Sequence, residues 1–313
     1  MARELLIVDR LLEPMIARLP NGITAWRLWD LPDRDAFFRE VAPRIRVLMT
    51  DAFAGASADL LGRFPALELV ANFGVGYDSV DTDYCRAHGI TVTNTPDVLN
   101  DDVADLAIGL LLAVSRRICE ADRYVRAGRW TSGHFPLATR LSGKRLGILG
   151  LGRIGEAVAR RAAAFDITVA YHNRRQRADL DYAWYPSPVE LAAAVDMLIV
   201  LVPRTPATIG MVDAAVLEAL GPRGILVNIA RGGIVDETAL LAALADGAIG
   251  GAGLDVFADE PNVPPEFFQY DNVVLTPHVG SATQETREAM AAVVLQNIVA
   301  FFRGEPLPNP VEL

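Results

Sequence analysis

The stretch Gly150-Leu151-Gly152-Arg153-Ile154-Gly155 constrains this chain more than any other, because of what flanks it. Arg145–Leu149 is a short apolar run that reads as a buried strand, and residues 156–162 have helical spacing and composition. Strand, glycine-rich turn and helix in that order form the dinucleotide-binding fingerprint. The glycines permit a tight turn and let the backbone approach a pyrophosphate. The helix N-terminus then offers unpaired N–H groups and a partial positive charge to that anion. All six residues of the turn are therefore cofactor-binding candidates.

The second strand of the unit, Thr168–Asn173, ends 18 residues beyond Gly155. An NAD-binding unit usually places Asp or Glu near this point, where the carboxylate accepts hydrogen bonds from the ribose hydroxyls. Here the sequence is Asn173-Arg174-Arg175, with Arg177 close by. A carboxylate would repel a 2′-phosphate, whereas two guanidiniums would clamp it. The expected cofactor is therefore NADPH/NADP, with NADH the weaker possibility. A solvated basic loop is the alternative, and Asp179 or Asp181 could then serve an NAD ribose, although both lie past the expected strand end.

Bulk properties narrow the class. A chain of 313 residues with 51% apolar content suits one or two globular α/β domains with ample core. The longest apolar stretch, Leu106–Val114, is too short to span a bilayer, and the N-terminus enters a strand without a signal-type core. Two cysteines, Cys85 and Cys119, form neither a disulfide framework nor a metal spacing, so a cytoplasmic, reducing compartment and no metal are expected. The net charge of −10 argues against nucleic acid as a partner. It says little about a small anion, which responds to the local field of its site.

Strand-like runs alternate with helical ones along the whole chain. The first hundred residues offer strands at Leu5–Asp9, Arg46–Thr50, Leu67–Phe73 and Ile90–Asn94, with helices at Ala58–Phe64 and Thr82–His88. One long helix is expected from about Asp102 to Gly128, with Leu106, Gly109, Leu110 and Ala113 as its apolar face. That face suits a buried domain seam or a dimer contact. A second α/β domain follows, with strands at Arg145–Leu149, Thr168–Asn173, Met197–Val202, Gly224–Ile229, Gly251–Val256 and Asn272–Thr276. The tail from Ala282 to Gly304 reads as one more helix returning to the first domain.

Ligands of open α/β sheets bind beyond the carboxyl ends of the strands. Three polar residues stand at successive strand ends of the second domain: Arg231, Glu260 and His278. Hydride transfer to a 2-keto acid builds negative charge on the carbonyl oxygen. Histidine is the natural proton donor near neutral pH. A carboxylate beside it favours the imidazolium and fixes the ring. A guanidinium can hold the substrate carboxylate in a fork and polarise the adjacent carbonyl. Taken singly, each is more often a surface charge or a packing group. The coincidence of all three in one nucleotide-binding domain points to catalysis.

The residues Arg231-Gly232-Gly233, Gly253-Leu254-Asp255-Val256-Phe257 with Glu260-Pro261, and Pro277-His278-Val279-Gly280-Ser281-Ala282 resemble the D-2-hydroxyacid dehydrogenase family. So do Asn94-Thr95-Pro96 and Asp102-Val103-Ala104-Asp105. The resemblance implies two doubly wound parallel-sheet α/β domains: a flavodoxin-like substrate domain of residues 1–98 and 285–313, and a Rossmann dinucleotide-binding domain of residues 99–284. The active site would lie in a cleft between them. It also implies that Asp255 contacts the nicotinamide carboxamide and that Ile229 and Ala230 border the cofactor. Val75 and Gly76 would offer N–H groups to the substrate carboxylate, although an ordinary glycine turn explains them too. Ser281 would face the far end of the substrate, or else cap the tail helix. Family members are commonly homodimers through the helix near Asp102–Arg117, and Trp130–Ala138, with Phe135, would close the site of the partner subunit.

Within the family, Asn72–Gly76, Asn94–Leu99 and Asp122–Gly128 are similar to NADPH-dependent glyoxylate/hydroxypyruvate reductases and to hydroxyphenylpyruvate reductases. The expected substrate is a small 2-keto acid, with the aryl substrate as alternative. Formate dehydrogenases pair the histidine with glutamine, unlike Glu260, and phosphoglycerate dehydrogenases often carry a further domain after the point where this sequence stops. The fold also serves corepressors as a non-catalytic binding module. Those proteins resemble the NAD-binding branch, which the basic loop does not.

Overall fold

The structure, a computed structural model, describes residues 3–313. It contains two compact units. One runs to Leu99 and resumes with Thr283–Leu313, and the other is Asn100–Ala282.

The first unit is built on strands β1 (Glu4–Ile7), β2 (Thr24–Arg27), β3 (Val47–Asp51), β4 (Leu69–Phe73) and β5 (Thr91–Thr93). They pair in parallel in the order β2-β1-β3-β4-β5, the flavodoxin-like winding. Helices α1 (Arg34–Glu40), α2 (Ala58–Leu61) and α3 (Thr82–His88) cover it. β1, β3 and β4 are buried along their whole length, which is why they read as continuous apolar runs rather than alternating ones. β2 and α1 escape the sequence reading. β2 is a half-exposed edge strand of mixed character, and a four-residue run carries too little periodicity to stand out. Its place is fixed by Glu4, whose carboxylate accepts from Trp26 Nε1 at 2.9 Å and from Arg44 Nε at 2.8 Å. The C-terminal helix, Gln284–Arg303, packs on β4. Its N-cap is Thr283, whose hydroxyl accepts from Thr286 N, so the capping role considered for Ser281 falls two residues further on.

The second unit begins with helices α4 (Asn100–Ser115) and α5 (Ile118–Arg126). Then come β6 (Arg145–Leu149), α6 (Arg153–Ala163), β7 (Thr168–His172), β8 (Ala183–Trp184), α7 (Pro188–Ala194) and β9 (Met197–Val200). α8 (Ala214–Leu220), β10 (Ile225–Asn228), α9 (Glu237–Ala245), β11 (Gly251–Leu254) and β12 (Val273–Leu275) complete it. The all-parallel order is β12-β11-β10-β9-β6-β7-β8. This is the dinucleotide-binding winding, and its direction reverses between β6 and β9.

The single helix expected over 102–128 is two helices. Arg117 adopts a left-handed conformation (φ 54°) and pairs with Glu120 at 2.7 Å, which ends α4 and starts α5 in a new direction. The expected apolar face of α4 is also revised. Val103, Ala104, Ala107, Ile108, Leu110, Leu111 and Val114 are buried, whereas Gly109 is exposed. α4 packs against α6 on one side and β10–β12 on the other, so it buries a broader surface than one stripe. α5 has no buried residue, and Ile118, Val125 and Trp130 are exposed. Among the described residues no helix is long and apolar enough to cross a membrane, and no His/Cys/Asp/Glu group could hold a metal ion.

The Glu4 cluster makes the acid stability of the first unit testable. The Arg44 hydrogen bond, aided by Trp26 and the Arg44 charge, holds the Glu4 carboxyl below the usual 4.5 against the opposing effect of burial. A carboxyl depressed by folding stabilises the fold above its unfolded value, and the stabilisation is lost as pH falls through the folded value. Glu4→Gln is expected to cost about 1–2 kcal/mol at neutral pH. The deficit should shrink below pH 4.5 in urea titrations; a deficit independent of pH would exclude the ionic contribution.

Candidate active site

The glycine turn follows β6, at the point where the winding reverses. Gly150 has φ 102°, and a Cβ there would stand 2.7 Å from Val202 N, so only glycine fits. A Cβ at Gly155 would meet Gly150 O at 2.9 Å, which sets how tightly α6 packs under the turn. At Gly152 there is nothing within 4 Å. Exposed Gly152 and Arg153 thus border open space at the N-terminus of α6, while Leu151 is buried and Ile154 half-buried. A tight turn, an open approach and a close helix contact are the three requirements of a pyrophosphate cradle, and the residues fit a dinucleotide.

Asn173 has a role the sequence reading missed. Its Oδ1 accepts from Leu151 N at 2.7 Å and its Nδ2 donates to Leu151 O at 3.1 Å. The amide braces the turn in both directions, which a carboxylate could not do. The absence of an acid at this strand end therefore has a local structural reason as well as an electrostatic one. Arg174 and Arg175, next along, are exposed and form no ion pair among the described residues. Arg177 is different: it pairs with Asp179 and Glu156, which raise its already high pKa. Asp179 is spent in that pairing.

The ends of β10, β11 and β12 lie on the same edge of the parallel sheet. Arg231 follows β10, in a turn held by buried Asn228, which donates to Arg231 O at 3.0 Å and accepts from Ala230 N at 3.2 Å. The Arg231 guanidinium donates to Ala230 O at 2.8 Å. Ile229 is buried beneath and Ala230 half-buried beside it. A Cβ on Gly232 would fall 1.7 Å from Phe257 O, so the β10 and β11 loops touch backbone to backbone. That contact brings Arg231 towards Glu260.

Glu260 accepts from Phe257 N at 2.9 Å through Oε1 and is bonded to His278 Nδ1 at 2.7 Å through Oε2. Burial pushes its carboxyl up, but the His278 and Phe257 hydrogen bonds and the charges of His278 and Arg231 outweigh it, leaving the pKa below the usual value. His278 has φ 53°, a left-handed conformation costing a non-glycine residue about 1–2 kcal/mol. The cost is offset by Asp255. That carboxylate accepts from Thr276 Oγ1 at 2.6 Å, Val279 N at 2.8 Å and Gly280 N at 2.9 Å, while Asp255 O accepts from His278 N. Asp255 is 1% exposed, and burial pushes its pKa up. Asp255 thus holds the His278 loop through side chain and backbone alike. Half-buried Ser281 follows that loop.

In the other unit, β4 ends in the Gly74–Gly76 turn. Buried Asn72 donates to Gly74 O at 3.1 Å and Gly76 O at 3.0 Å, and Asn94 donates to Val75 O at 2.8 Å. With the carbonyls tied back, the N–H groups of Val75 and Gly76 have no partner among the described residues. The amides of Asn72 and Asn94 were not recognised from the sequence as the source of this geometry.

Residues 108–280 match the family model described as "D-isomer specific 2-hydroxyacid dehydrogenase, NAD binding domain". Hydroxyphenylpyruvate reductase of Plectranthus scutellarioides is 53% identical over 293 residues, covering 94% of either chain. Glyoxylate/hydroxypyruvate reductase A of Arabidopsis thaliana is 51% identical over 302 residues, covering 95% of this chain and 96% of its own. Among solved structures, the NADPH-dependent glyoxylate/hydroxypyruvate reductase of Sinorhizobium meliloti, in complex with NADP and malonate, superposes with a TM-score of 0.92 at 44% identity. The match covers 99% of this chain and 97% of that one. With the glycine cradle and the matched strand-end loops in place, the chain belongs to the D-isomer specific 2-hydroxyacid dehydrogenase family.

Proposed function

We propose that the chain is an NADPH-dependent reductase of 2-keto acids that forms D-2-hydroxy acids, with glyoxylate and hydroxypyruvate as its main substrates. The observation that carries the reading is the 2.7 Å Glu260–His278 pair within the field of Arg231, on the sheet edge that bears the glycine turn. When bound, the nicotinamide cofactor supplies a hydride to the keto carbon. Gly150–Gly155 would hold its pyrophosphate, and Arg174 and Arg175 its 2′-phosphate. Arg177, neutralised by Glu156 and Asp179, contributes less, and Asn173 acts by bracing the turn.

The chain's own residues handle the proton and the charge. Glu260 fixes His278 through Nδ1, so Nε2 delivers the proton to the carbonyl oxygen as negative charge develops there. Imidazole is then reprotonated from water. Arg231 polarises the carbonyl and holds the substrate carboxylate. Ile229 and Ala230 border the cofactor, Asp255 acts as a positioning residue for the His278 loop, and Ser281 faces the far end of the substrate. A second reading, hydroxyphenylpyruvate reduction, is favoured by the 53% identity to the Plectranthus enzyme.

The exposed Ile118, Val125 and Trp130 on and after α5 support a homodimer that covers them. Sedimentation at twice the 33.8 kDa chain mass is expected, and a monomer at micromolar concentration would refute it. Two free cysteines suit a cytoplasmic protein.

Initial rates with glyoxylate, hydroxypyruvate and 4-hydroxyphenylpyruvate, each with NADPH and NADH, test the function directly. NADPH and the two small keto acids are expected to dominate; a dominant aryl substrate would move the chain to the second reading. In the same assay, replacing Arg174 and Arg175 by Ser should weaken NADPH on the order of 100-fold through the loss of two charged hydrogen bonds. NADH should be almost unaffected, and equal losses would exclude the 2′-phosphate clamp. Glu260→Gln removes the carboxylate that favours the charged ring. The basic limb of the kcat/KM profile for reduction should shift to lower pH, and an unmoved limb would remove Glu260 from its assigned role.

A further inference from the structure

A second carboxylate holds the loop that carries Glu260. Glu237, the first residue of α9, is half-buried and reaches out of its own helix: its Oε1 accepts from Ala258 N at 2.7 Å. The neighbouring donor, Phe257 N, is bonded to Glu260 Oε1 at 2.9 Å, and Glu260 Oε2 meets His278 Nδ1 at 2.7 Å. Two consecutive N–H groups are thus each held by a carboxylate, one from α9 and one from the loop itself. The Phe257 carbonyl in turn lies against Gly232, where a Cβ would fall 1.7 Å from its oxygen. The loop is therefore fastened both to α9 and to the Arg231 turn.

An acid in the first turn of a helix is ordinarily explained by the helix dipole. Glu237 has that support, yet its surroundings oppose its charge. Burial and the charges of Glu260 and Asp236 push its pKa up, only partly opposed by the Ala258 hydrogen bond. It forms no ion pair among the described residues. A glutamine would accept the same N–H bond without the repulsion and without the desolvation of a charge. What the carboxylate alone supplies is negative potential near the Glu260–His278 pair. Within this unit Glu260 and Asp255 favour the charged form of His278, while Arg231, whose charge reaches Glu260, disfavours a second cation nearby.

We propose that Glu237 is a positioning residue for the proton-donating pair: its bond to Ala258 N fixes the loop that bears Glu260, and its charge favours the imidazolium form of His278. The proposal rests on the reductase reading above. The two effects can be separated chemically. Glu237→Gln keeps an oxygen acceptor for the Ala258 N–H and removes the charge, whereas Glu237→Ala removes both. A first-turn acid that served its helix alone would change stability and leave the titration of His278 where it was.

The test is the pH profile of kcat/KM for glyoxylate reduction with NADPH in the wild type, Glu237→Gln, Glu237→Ala and Glu260→Gln. Reduction needs protonated His278, so removing a nearby negative charge lowers the imidazole pKa and brings the basic limb to lower pH. Glu237→Gln should move the limb down by about half a pH unit, less than Glu260→Gln does, because attraction falls with distance from the ring. Glu237→Ala should show the same shift together with a plateau about tenfold below that of Glu237→Gln, through loss of one hydrogen bond to a charged group. A limb unmoved in Glu237→Gln overturns the proposal, and so does an Ala plateau no lower than the Gln one. If the Ala variant does not fold, the near-isosteric Gln variant still decides through its limb. Failure of the underlying reading looks different: a wild type inactive on glyoxylate and hydroxypyruvate, or a limb unmoved by Glu260→Gln, would sink that reading and this proposal with it.

Discussion

In a sheet whose strands all run parallel, every carboxyl end falls on one edge, and this constraint organises the second unit. Each strand must be followed by a connection that returns across a face, so each strand end becomes the start of a loop on that edge. The glycine turn after β6, Arg231 after β10, Asp255 after β11 and His278 after β12 share that edge for no other reason. Residues far apart in sequence are brought together by hydrogen-bonded register, for example Asn228 opposite Leu254 and Leu254 opposite Leu275.

Register alone does not aim a side chain. His278 reaches its orientation through a backbone conformation that favours glycine, and the buried Asp255 carboxylate stabilises the loop around it with three hydrogen bonds. Gly232 plays the complementary part by letting two loops touch along their backbones. Remove either support and Arg231, Glu260 and His278 would still be present in the sequence but would no longer face one another. In the first unit, Asn72 and Asn94 likewise turn carbonyls inward at the Gly74–Gly76 turn.

The charge pattern follows the same local logic. The chain carries a net charge of −10, yet its candidate ligand-facing groups are cationic. Arg174 and Arg175 stand without a carboxylate partner among the described residues, whereas Arg177 is neutralised by Glu156 and Asp179. The Glu260 pKa lies below the usual value despite burial because His278, the Phe257 N–H and Arg231 compensate it. Net charge therefore describes the solvated surface, and single contacts describe the site.

Much was legible in the sequence where local chemistry decides the outcome. The βαβ glycine pattern marked the cradle because turn, close approach and helix packing each demand glycine at one spacing. The fully buried strands β1, β3, β4 and β9, and β6 beyond exposed Arg145, stand out as apolar runs because both of their faces are covered. The polar strand ends pointed to chemistry because three such groups rarely follow one another on one sheet. What required tertiary structure was partnership. Edge strand β2 depends on a carboxylate on β1, and α4 stops where Arg117 turns back to Glu120. Asn173 serves the turn rather than standing free, and Asp255 serves the His278 loop. Sequence fixes which groups each short segment offers. The packing of distant segments fixes which partner each group meets, because a hydrogen bond depends on a separation of about 3 Å that no spacing along the chain encodes.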